Sequence, residues 1–71
     1  MEKLTINTEF IKLDSALKLA ALCESGGEAK TAIQEGYVLV NGEVCTQRGR
    51  KLREGDSVTI GGAGFVIAHE A

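Results

Sequence analysis

The densest chemical feature of the sequence is a cationic stretch, Arg48-Gly49-Arg50-Lys51-Leu52-Arg53, here named the basic segment. It carries four of the eight Lys and Arg residues in a chain whose formal net charge is −2. The planar guanidinium group of Arg suits bidentate contact with phosphate, and Gly49 lets the backbone approach a ligand closely. Because like charges this close repel one another, the segment favours a polyanionic partner. A charge run is often only a solvated surface, and that interpretation stays open.

Three lysines could extend a phosphate-binding surface beyond the basic segment. Lys12, Lys18 and Lys30 lie on or beside the predicted helices, but periodicity does not decide whether they face the same side. Three to six phosphate contacts would make the affinity fall steeply with salt, with a log–log slope of about −0.7 to −0.9 per contact.

The turn before the second predicted helix is another candidate anion site. Ser25-Gly26-Gly27-Glu28 places two glycines at a helix N-terminus, where free amides and the helix dipole attract phosphate. The alternative is a plain capped turn. In a capping box Ser25 and Glu28 would occupy those amides, and the Glu28 carboxylate would repel an anion.

No residue pattern indicates catalysis, a metal or a cofactor. His69 is the only histidine, and the sequence contains no HExxH, GxSxG or Walker-type motif. Structural zinc generally needs four ligands, which one histidine and the separated Cys23 and Cys45 do not supply. We therefore expect a protein that is not an enzyme, with no cofactor and no small-molecule substrate. Two unpaired thiols are the simpler reading for the cysteines, with a disulfide left open.

Length and composition predict a single domain over residues 1–71. Hydrophobic residues make up 44% of the chain, enough for one compact core, and it has no Trp, one Tyr and two Phe. Aromatic platforms for single-stranded bases are therefore nearly absent. The N-terminal residues lack the apolar core of a signal peptide, and no apolar run approaches the length of a membrane span. We expect a cytoplasmic protein without a membrane partner.

The patterning predicts an α+β fold in the order strand, two helices, four strands. Residues 3–6 alternate like a strand, and an apolar stripe from Leu13 predicts a helix to about residue 23, capped by Thr8 or Asp14. A second helix begins after Ser25 and ends at Gly36. Residues 37–40 and 43–46 form a hairpin across Asn41-Gly42. Residues 47–53 are a predicted loop, and the last strands cover 57–60 and 65–68, around a connection at 61–64.

Taken together, these motifs resemble the RNA-binding domain named after small-subunit ribosomal protein four, the S4 domain. The resemblance covers roughly residues 10 to 60, and the short stand-alone bacterial members are the best match. The stretches that carry it are Lys12-Leu13-Asp14-Ser15-Ala16-Leu17, Ser25-Gly26-Gly27-Glu28-Ala29-Lys30, Ile33, Gly36, Val38, Val40-Asn41-Gly42, Arg48 to Leu52 and Gly55-Asp56.

The resemblance implies a helix pair packed on a small sheet, with RNA bound across the helices and the following loop. Lys12 matches the basic residue before Leu-Asp, and Lys30 matches a helix position that is commonly basic. Gly26 stands where the broader family usually has Arg, which removes one expected phosphate contact. The basic segment could compensate, since the broader family often has Pro or Ser there. The implied target is folded RNA, recognised largely by its shape and backbone.

Three functional hypotheses follow from these observations. The first is a monomeric module for structured RNA, ribosomal or transfer RNA, with the ribosomal particle as a candidate partner. The alternative is a protein-interaction adaptor, in which the basic segment meets an acidic partner surface. A β-grasp sulfur carrier is a third, weaker idea, because it needs a free terminal Gly-Gly and nine residues follow Gly61-Gly62.

Overall fold

A computed structural model describes residues 2–70 as an α+β fold with two helices and seven strands. The fold class predicted from the sequence is confirmed. Neither helix in this part of the chain is long and apolar enough to span a membrane. In chain order the elements are β1 (Glu2–Ile6), β2 (Ile11–Lys12), α1 (Leu13–Leu19), α2 (Gly26–Gln34), β3 (Val38–Val40), β4 (Glu43–Val44), β5 (Lys51–Leu52), β6 (Ser57–Ile60) and β7 (Ala63–His69).

Five strands form one mixed sheet in the order β1-β7-β6-β3-β4. The β1–β7 pair is parallel, with Leu4 opposite Ile67, and the other neighbours are antiparallel. The remaining two strands, β2 and β5, pair with each other as a separate antiparallel ribbon. Strand β2 lies directly before α1 in the chain, and β5 belongs to the basic segment, so the ribbon ties the first helix to that segment.

The core forms between the two helices and one side of the sheet. Alternate strand residues point to the same side of a sheet, and residues three and four apart share a helix face. Both periodicities appear in the buried set, which contains no charged or polar side chain among residues 2–70. Its members are Ile6, Leu13, Ala16, Leu17, Cys23, Ala29, Ile33, Val38, Val40, Cys45, Leu52, Val58, Phe65 and Ile67.

Helix α1 ends at Leu19, earlier than the predicted end near residue 23. Ala21 takes the left-handed conformation, with φ +61°. Its amide donates to the carbonyl of Lys18, and the amide of Leu22 donates to that of Leu17. This is the Schellman pattern, which normally has glycine at the left-handed position. The prediction was wrong because the sequence has alanine there and shows no stop signal.

Helix α2 ends with the same pattern and a glycine, as predicted. Gly36 has φ +82°, its amide donates to the Ile33 carbonyl, and the amide of Tyr37 donates to that of Ala32. At the start of α2, the Ser25 hydroxyl accepts from the Glu28 amide at 3.2 Å, which confirms the predicted cap. The Glu28 carboxylate accepts from the amide of Glu24 at 3.3 Å, so the reciprocal half of the box is displaced by one residue.

The start of α1 differs from both predicted caps. Lys12 occupies the N-cap position and provides no side-chain hydrogen bond. The Thr8 hydroxyl donates to the Phe10 carbonyl instead, and Asp14 lies inside the first turn, where it accepts from the Ser15 amide. The partners that the first amides of α1 do find come from the basic segment.

The predicted hairpin is confirmed, but some of the strand bounds need correction. Asn41 and Gly42 have φ +52° and +84°, as a type I′ turn requires. The partner strand is shorter than predicted and ends at Val44, whereas the last strand begins at Ala63, directly after a two-residue glycine turn. The predicted loop over residues 47–53 contains a strand, Lys51–Leu52, because β2 supplies a pairing partner from a distant part of the chain.

Candidate nucleic-acid interface

The β2–β5 ribbon places cations on its outer face. Ile11 lies opposite Leu52 and Lys12 lies opposite Lys51. Directly opposite residues in an antiparallel pair point to the same face. Leu52 is completely buried and marks the face that packs on the core. Neighbouring strand residues point to opposite faces, so Lys51 and its partner Lys12 point toward solvent. Two sequence-predicted site residues, far apart in the chain, are thereby brought together.

The backbone of the basic segment is held against the N-terminus of α1. The Leu13 amide donates to the carbonyl of Arg50 at 2.9 Å, and the Asp14 amide donates to that of Arg48 at 3.1 Å. The amide of Arg50 donates to the Gln47 carbonyl at 3.1 Å, which closes a turn around Gly49. These carbonyls satisfy helix amides that would otherwise need a side-chain cap. The segment therefore has a fixed backbone although it lies at the surface.

Asp56 holds the other end of the segment. Its carboxylate accepts from the Arg53 amide at 2.8 Å and from the side-chain amide of Asn41 at 3.1 Å. The side-chain Oδ1 of Asn41 in turn accepts from the Ser57 backbone amide at 2.9 Å. The hydrogen bond from the Arg53 amide contributes most to holding the pKa of Asp56 below its usual value. Burial opposes this effect, and the Asn41 amide and the charges of Arg50 and Arg53 lower the pKa further. The Asn-Gly and Gly-Asp motifs thus meet in one network that orders the hairpin turn and the end of the basic segment.

The side chains of the basic segment are left available while its backbone is held. Arg48, Gly49, Arg50, Lys51 and Arg53 are all exposed. Within residues 2–70, no side-chain hydrogen bond uses the guanidinium group of any of the three arginines. Their donors remain free to meet an anion from solution.

One aromatic residue of the site was missed by the sequence reasoning. The ring of half-buried Phe10 lies under two cations of the basic segment. Its centroid is 4.8 Å from the Lys51 ammonium nitrogen and 5.8 Å from the Arg53 guanidinium carbon. Both distances fall in the cation–π range. A single Phe before an isoleucine does not by itself predict a contact with cations. The only available signal was the spacing, because Phe10 and Lys12 are two residues apart, as are Lys51 and Arg53, which is the spacing of side chains on one face of a strand.

The start of α2 forms a second, less cationic region. Ser25, Gly26 and Gly27 are exposed there, and the cap uses the Ser25 hydroxyl. A Cβ atom placed on Gly26 would lie 4.0 Å from the Lys18 side chain, so α1 brings a lysine to this helix end. Lys18 also lines an open groove of about 330 Å³ with Ser15 and Leu19.

Lys30, like the residues at the start of α2, has no bonded link to the basic segment within residues 2–70. It is exposed on α2, beside buried Ala29. The hydrogen bonds and cation–π contacts of residues 2–70 provide no link between Lys30 and the basic segment.

Neither cysteine is exposed at this surface, although the Cys45 thiol donates to the Gln47 carbonyl at 3.7 Å, beneath the turn of the basic segment. Cys23 and Cys45 are buried free thiols, and burial, helped by the charge of Glu28, raises the pKa of Cys23. That shift keeps the thiol protonated and disfavours nucleophilic chemistry. In the part of the chain that the structure describes, no cluster of three or more His, Cys, Asp or Glu side chains could hold a metal ion.

A family model described as the S4 domain matches residues 4–68. The chain belongs to the S4 domain family. This S4 domain is 51% identical over 61 residues to a Bacillus subtilis (strain 168) protein named "Probable ribosome maturation protein RlbA", a match that covers 86% of each chain. It is 42% identical over 52 residues to the Escherichia coli (strain K12) "Putative RNA-binding protein YbcJ", covering 73% of this chain and 74% of that one.

Proposed function

We propose that this S4 domain binds structured RNA, ribosomal or transfer RNA, in the cytoplasm and without catalysing a reaction. The contacts are made by the basic segment and the adjacent helix pair, and most of them go to backbone phosphates. The observation that carries the proposal is a set of exposed guanidinium groups that make no side-chain hydrogen bond within residues 2–70, on a backbone fixed to α1. A cation cluster held in place on an otherwise acidic chain turns one side of the molecule toward a polyanion.

The printed names of the relatives support RNA as that polyanion. One is named for ribosome maturation and the other for RNA binding, and each match covers nearly three quarters of this chain or more. These names favour ribosomal RNA over transfer RNA as the natural ligand.

The shape of the surface favours folded RNA over single strands. Single-strand binders present several aromatic rings for base stacking, whereas Phe10 is half-buried and already contacted by cations. Double-stranded RNA is recognised mainly through its phosphates and 2′-hydroxyl groups across a wide, shallow minor groove. A ribbon with Lys12 and Lys51 on its outer face and Arg48 and Arg50 in the adjoining turn offers contacts of that kind.

The helix pair adds a smaller contribution in this proposal. Nothing bulkier than the Lys18 and Ser25 side chains lies near the absent Cβ positions of Gly26 and Gly27, so a phosphate could approach the backbone there. The Glu28 carboxylate in the first turn opposes an anion. We therefore assign Ser25, Gly26, Gly27 and Lys30 to the edge of the interface and the basic segment to its centre.

A charge-matched pair of variants tests the proposal. Arg50→Glu and Lys3→Glu change the net charge equally, but Lys3 lies in the edge strand β1, outside the basic segment. Binding to duplex RNA, duplex DNA and single-stranded RNA is measured by fluorescence anisotropy at two salt concentrations. We expect tight, salt-dependent binding to duplex RNA by the wild type, retained in Lys3→Glu and lost in Arg50→Glu. The thermal unfolding midpoint of Arg50→Glu should fall only slightly, because the exposed charge of Arg50 is a minor part of the environment of Asp56.

Two outcomes would overturn the proposal in different ways. Equal loss of binding in both variants would mean that only overall charge matters. Failure of the wild-type protein to bind any of the three nucleic acids would favour the adaptor hypothesis, in which the basic segment meets an acidic protein surface.

The double variant Arg50→Glu with Lys51→Glu should abolish binding and leave the far-ultraviolet circular dichroism spectrum nearly unchanged.

A further inference from the structure

Phe10 contacts two cations of the basic segment at once. It directly precedes β2, and its ring is half-buried. The ring is contacted by Lys51 and by Arg53, at 4.8 and 5.8 Å from its centroid. One aromatic side chain therefore contacts half of the cations of the basic segment.

The register of the β2–β5 ribbon explains how these side chains meet. Lys12 and Lys51 are directly opposite, and side chains two residues apart on a strand share a face. Phe10 directly precedes β2 and Arg53 directly follows β5, and the contacts of the ring with Lys51 and Arg53 show that both side chains continue the outer face beyond the strand ends. The buried side chain of Leu52 anchors the opposite face to the core.

We infer that Phe10 is a positioning residue for RNA binding, acting through Lys51 and Arg53. The ring holds an ammonium and a guanidinium group in a fixed arrangement, so that an RNA backbone meets ordered cations rather than two mobile side chains. This inference rests on the proposed function. A guanidinium group stacked on a ring keeps its in-plane N–H groups free for phosphate, and ordering before binding reduces the entropy lost in the complex.

The first test measures the positions of the cations in the free protein. Phe10→Leu retains an apolar side chain but removes the aromatic face, whereas Phe10→Tyr retains both. Ring currents should displace the Lys51 ε-methylene and Arg53 δ-methylene proton resonances from their usual shifts in the wild type and in Phe10→Tyr. In Phe10→Leu these resonances should return to the usual values. Unshifted resonances in the wild type would overturn the inference without any binding measurement.

The second test measures affinity for duplex RNA at low salt. We expect Phe10→Leu to weaken binding about five-fold, the scale of one exposed cation–π contact, and Phe10→Tyr to bind like the wild type. In a Lys51→Ala, Arg53→Ala background, Phe10→Leu should cause no further loss. A further loss there would mean that the ring contacts RNA itself and would overturn the positioning role.

Failure of RNA binding and failure of the Phe10 role would give different experimental results. A wild-type protein that binds no RNA overturns the proposed function and the RNA role of Phe10 together, even where the ring-current shifts are present. Wild-type binding with an unchanged affinity in Phe10→Leu overturns the role of Phe10 alone.

Discussion

Lys12 and Lys51 lie directly opposite each other in the β2–β5 ribbon, with both side chains exposed. Like charges in this arrangement destabilise a sheet. Lys12 is also the N-cap residue of α1, where the helix dipole disfavours a positive charge. The charge of Lys12 therefore lowers the stability of the fold in two ways, by repulsion from Lys51 and by its position at the helix N-terminus. A bound anion would neutralise this charge and relieve both effects.

Replacing Lys12 should therefore separate stability from binding. We expect Lys12→Gln to raise the free energy of unfolding at low salt by about 0.2–1 kcal/mol and to weaken binding to duplex RNA. Because salt screens exposed charges, the stability gain should shrink as salt is added. Urea unfolding at low and high salt measures the first effect.

Lys3→Gln is the matched control, since Lys3 is exposed on β1 and lies opposite Val66 rather than another cation. It should change neither stability nor RNA affinity appreciably. A Lys12→Gln protein less stable than the wild type at low salt would contradict the argument.

The left-handed alanine at the end of α1 predicts a stabilising substitution. Ala21 is exposed and has φ +61°, a conformation that costs an L-residue about 1–2 kcal/mol and glycine very little. Glycine also increases the entropy of the unfolded chain, so the two effects partly cancel. We expect Ala21→Gly to raise the free energy of unfolding by about 0.5–1 kcal/mol, measured by urea unfolding.

The neighbouring alanine provides the control. Ala20 has φ −78°, where glycine gains no conformational advantage. Ala20→Gly should therefore destabilise the protein by about 0.5–1 kcal/mol. The same sign of change in both variants would refute the conformational explanation.

The cap of α2 predicts a loss of stability on substitution. The Ser25 hydroxyl accepts from the Glu28 amide at 3.2 Å, and losing such a cap typically costs about 1 kcal/mol. Thr31→Ala is the comparison in the same helix, because its hydroxyl only donates back to the Gly27 carbonyl at 3.0 Å, a bond that slightly destabilises helices. Thermal unfolding should show a clearly lower midpoint for Ser25→Ala and no decrease for Thr31→Ala. Equal midpoints in both variants would show that the hydroxyl of Ser25 contributes no cap.

The two helix ends show how far sequence reasoning reaches in this fold. Both helices end with the same hydrogen-bond pattern. Glycine at position 36 predicts the end of α2, whereas alanine at position 21 gives no signal for the end of α1. The Asn41-Gly42 turn and the Ser25 cap were predictable for the same reason as Gly36. Each depends on a residue type with a strong local preference.

The parts that the sequence did not reveal are non-local. Strand β5 exists because Ile11 and Leu52 pair across most of the chain, and a two-residue strand has too little alternation to be detected. The cations of the basic segment were visible as residue types. The fixed backbone of this segment was not predictable from the sequence. Its hydrogen-bond partners are the backbone amides of Leu13 and Asp14, and backbone amides do not depend on residue type.

The carboxylate of Asp56 makes stability depend on pH in a defined direction. Hydrogen bonds from the Arg53 and Asn41 amides and the charges of Arg50 and Arg53 lower its pKa in the folded state. In the unfolded chain the value returns to about 3.9. Near that pH the unfolded state binds more protons, so the free energy of unfolding rises with pH. The stabilising contribution is fully present above the unfolded pKa and is lost as the pH falls through the folded pKa.

Asp56→Asn should remove this contribution while keeping the size of the side chain. We expect the variant to be less stable than the wild type at pH 7. The difference should begin to shrink as the pH falls below about 3.9, where Asp56 of the unfolded chain takes up a proton, and should be lost as the pH falls through the lower pKa of the folded state. Urea unfolding at a series of pH values measures both curves. Glu54→Gln is the control and should follow the wild-type curve. Glu54 is exposed in the same turn, and its carboxylate makes none of the side-chain hydrogen bonds found in residues 2–70. A difference between Asp56→Asn and the wild type that stays constant with pH would mean that shape, rather than charge, is what Asp56 contributes.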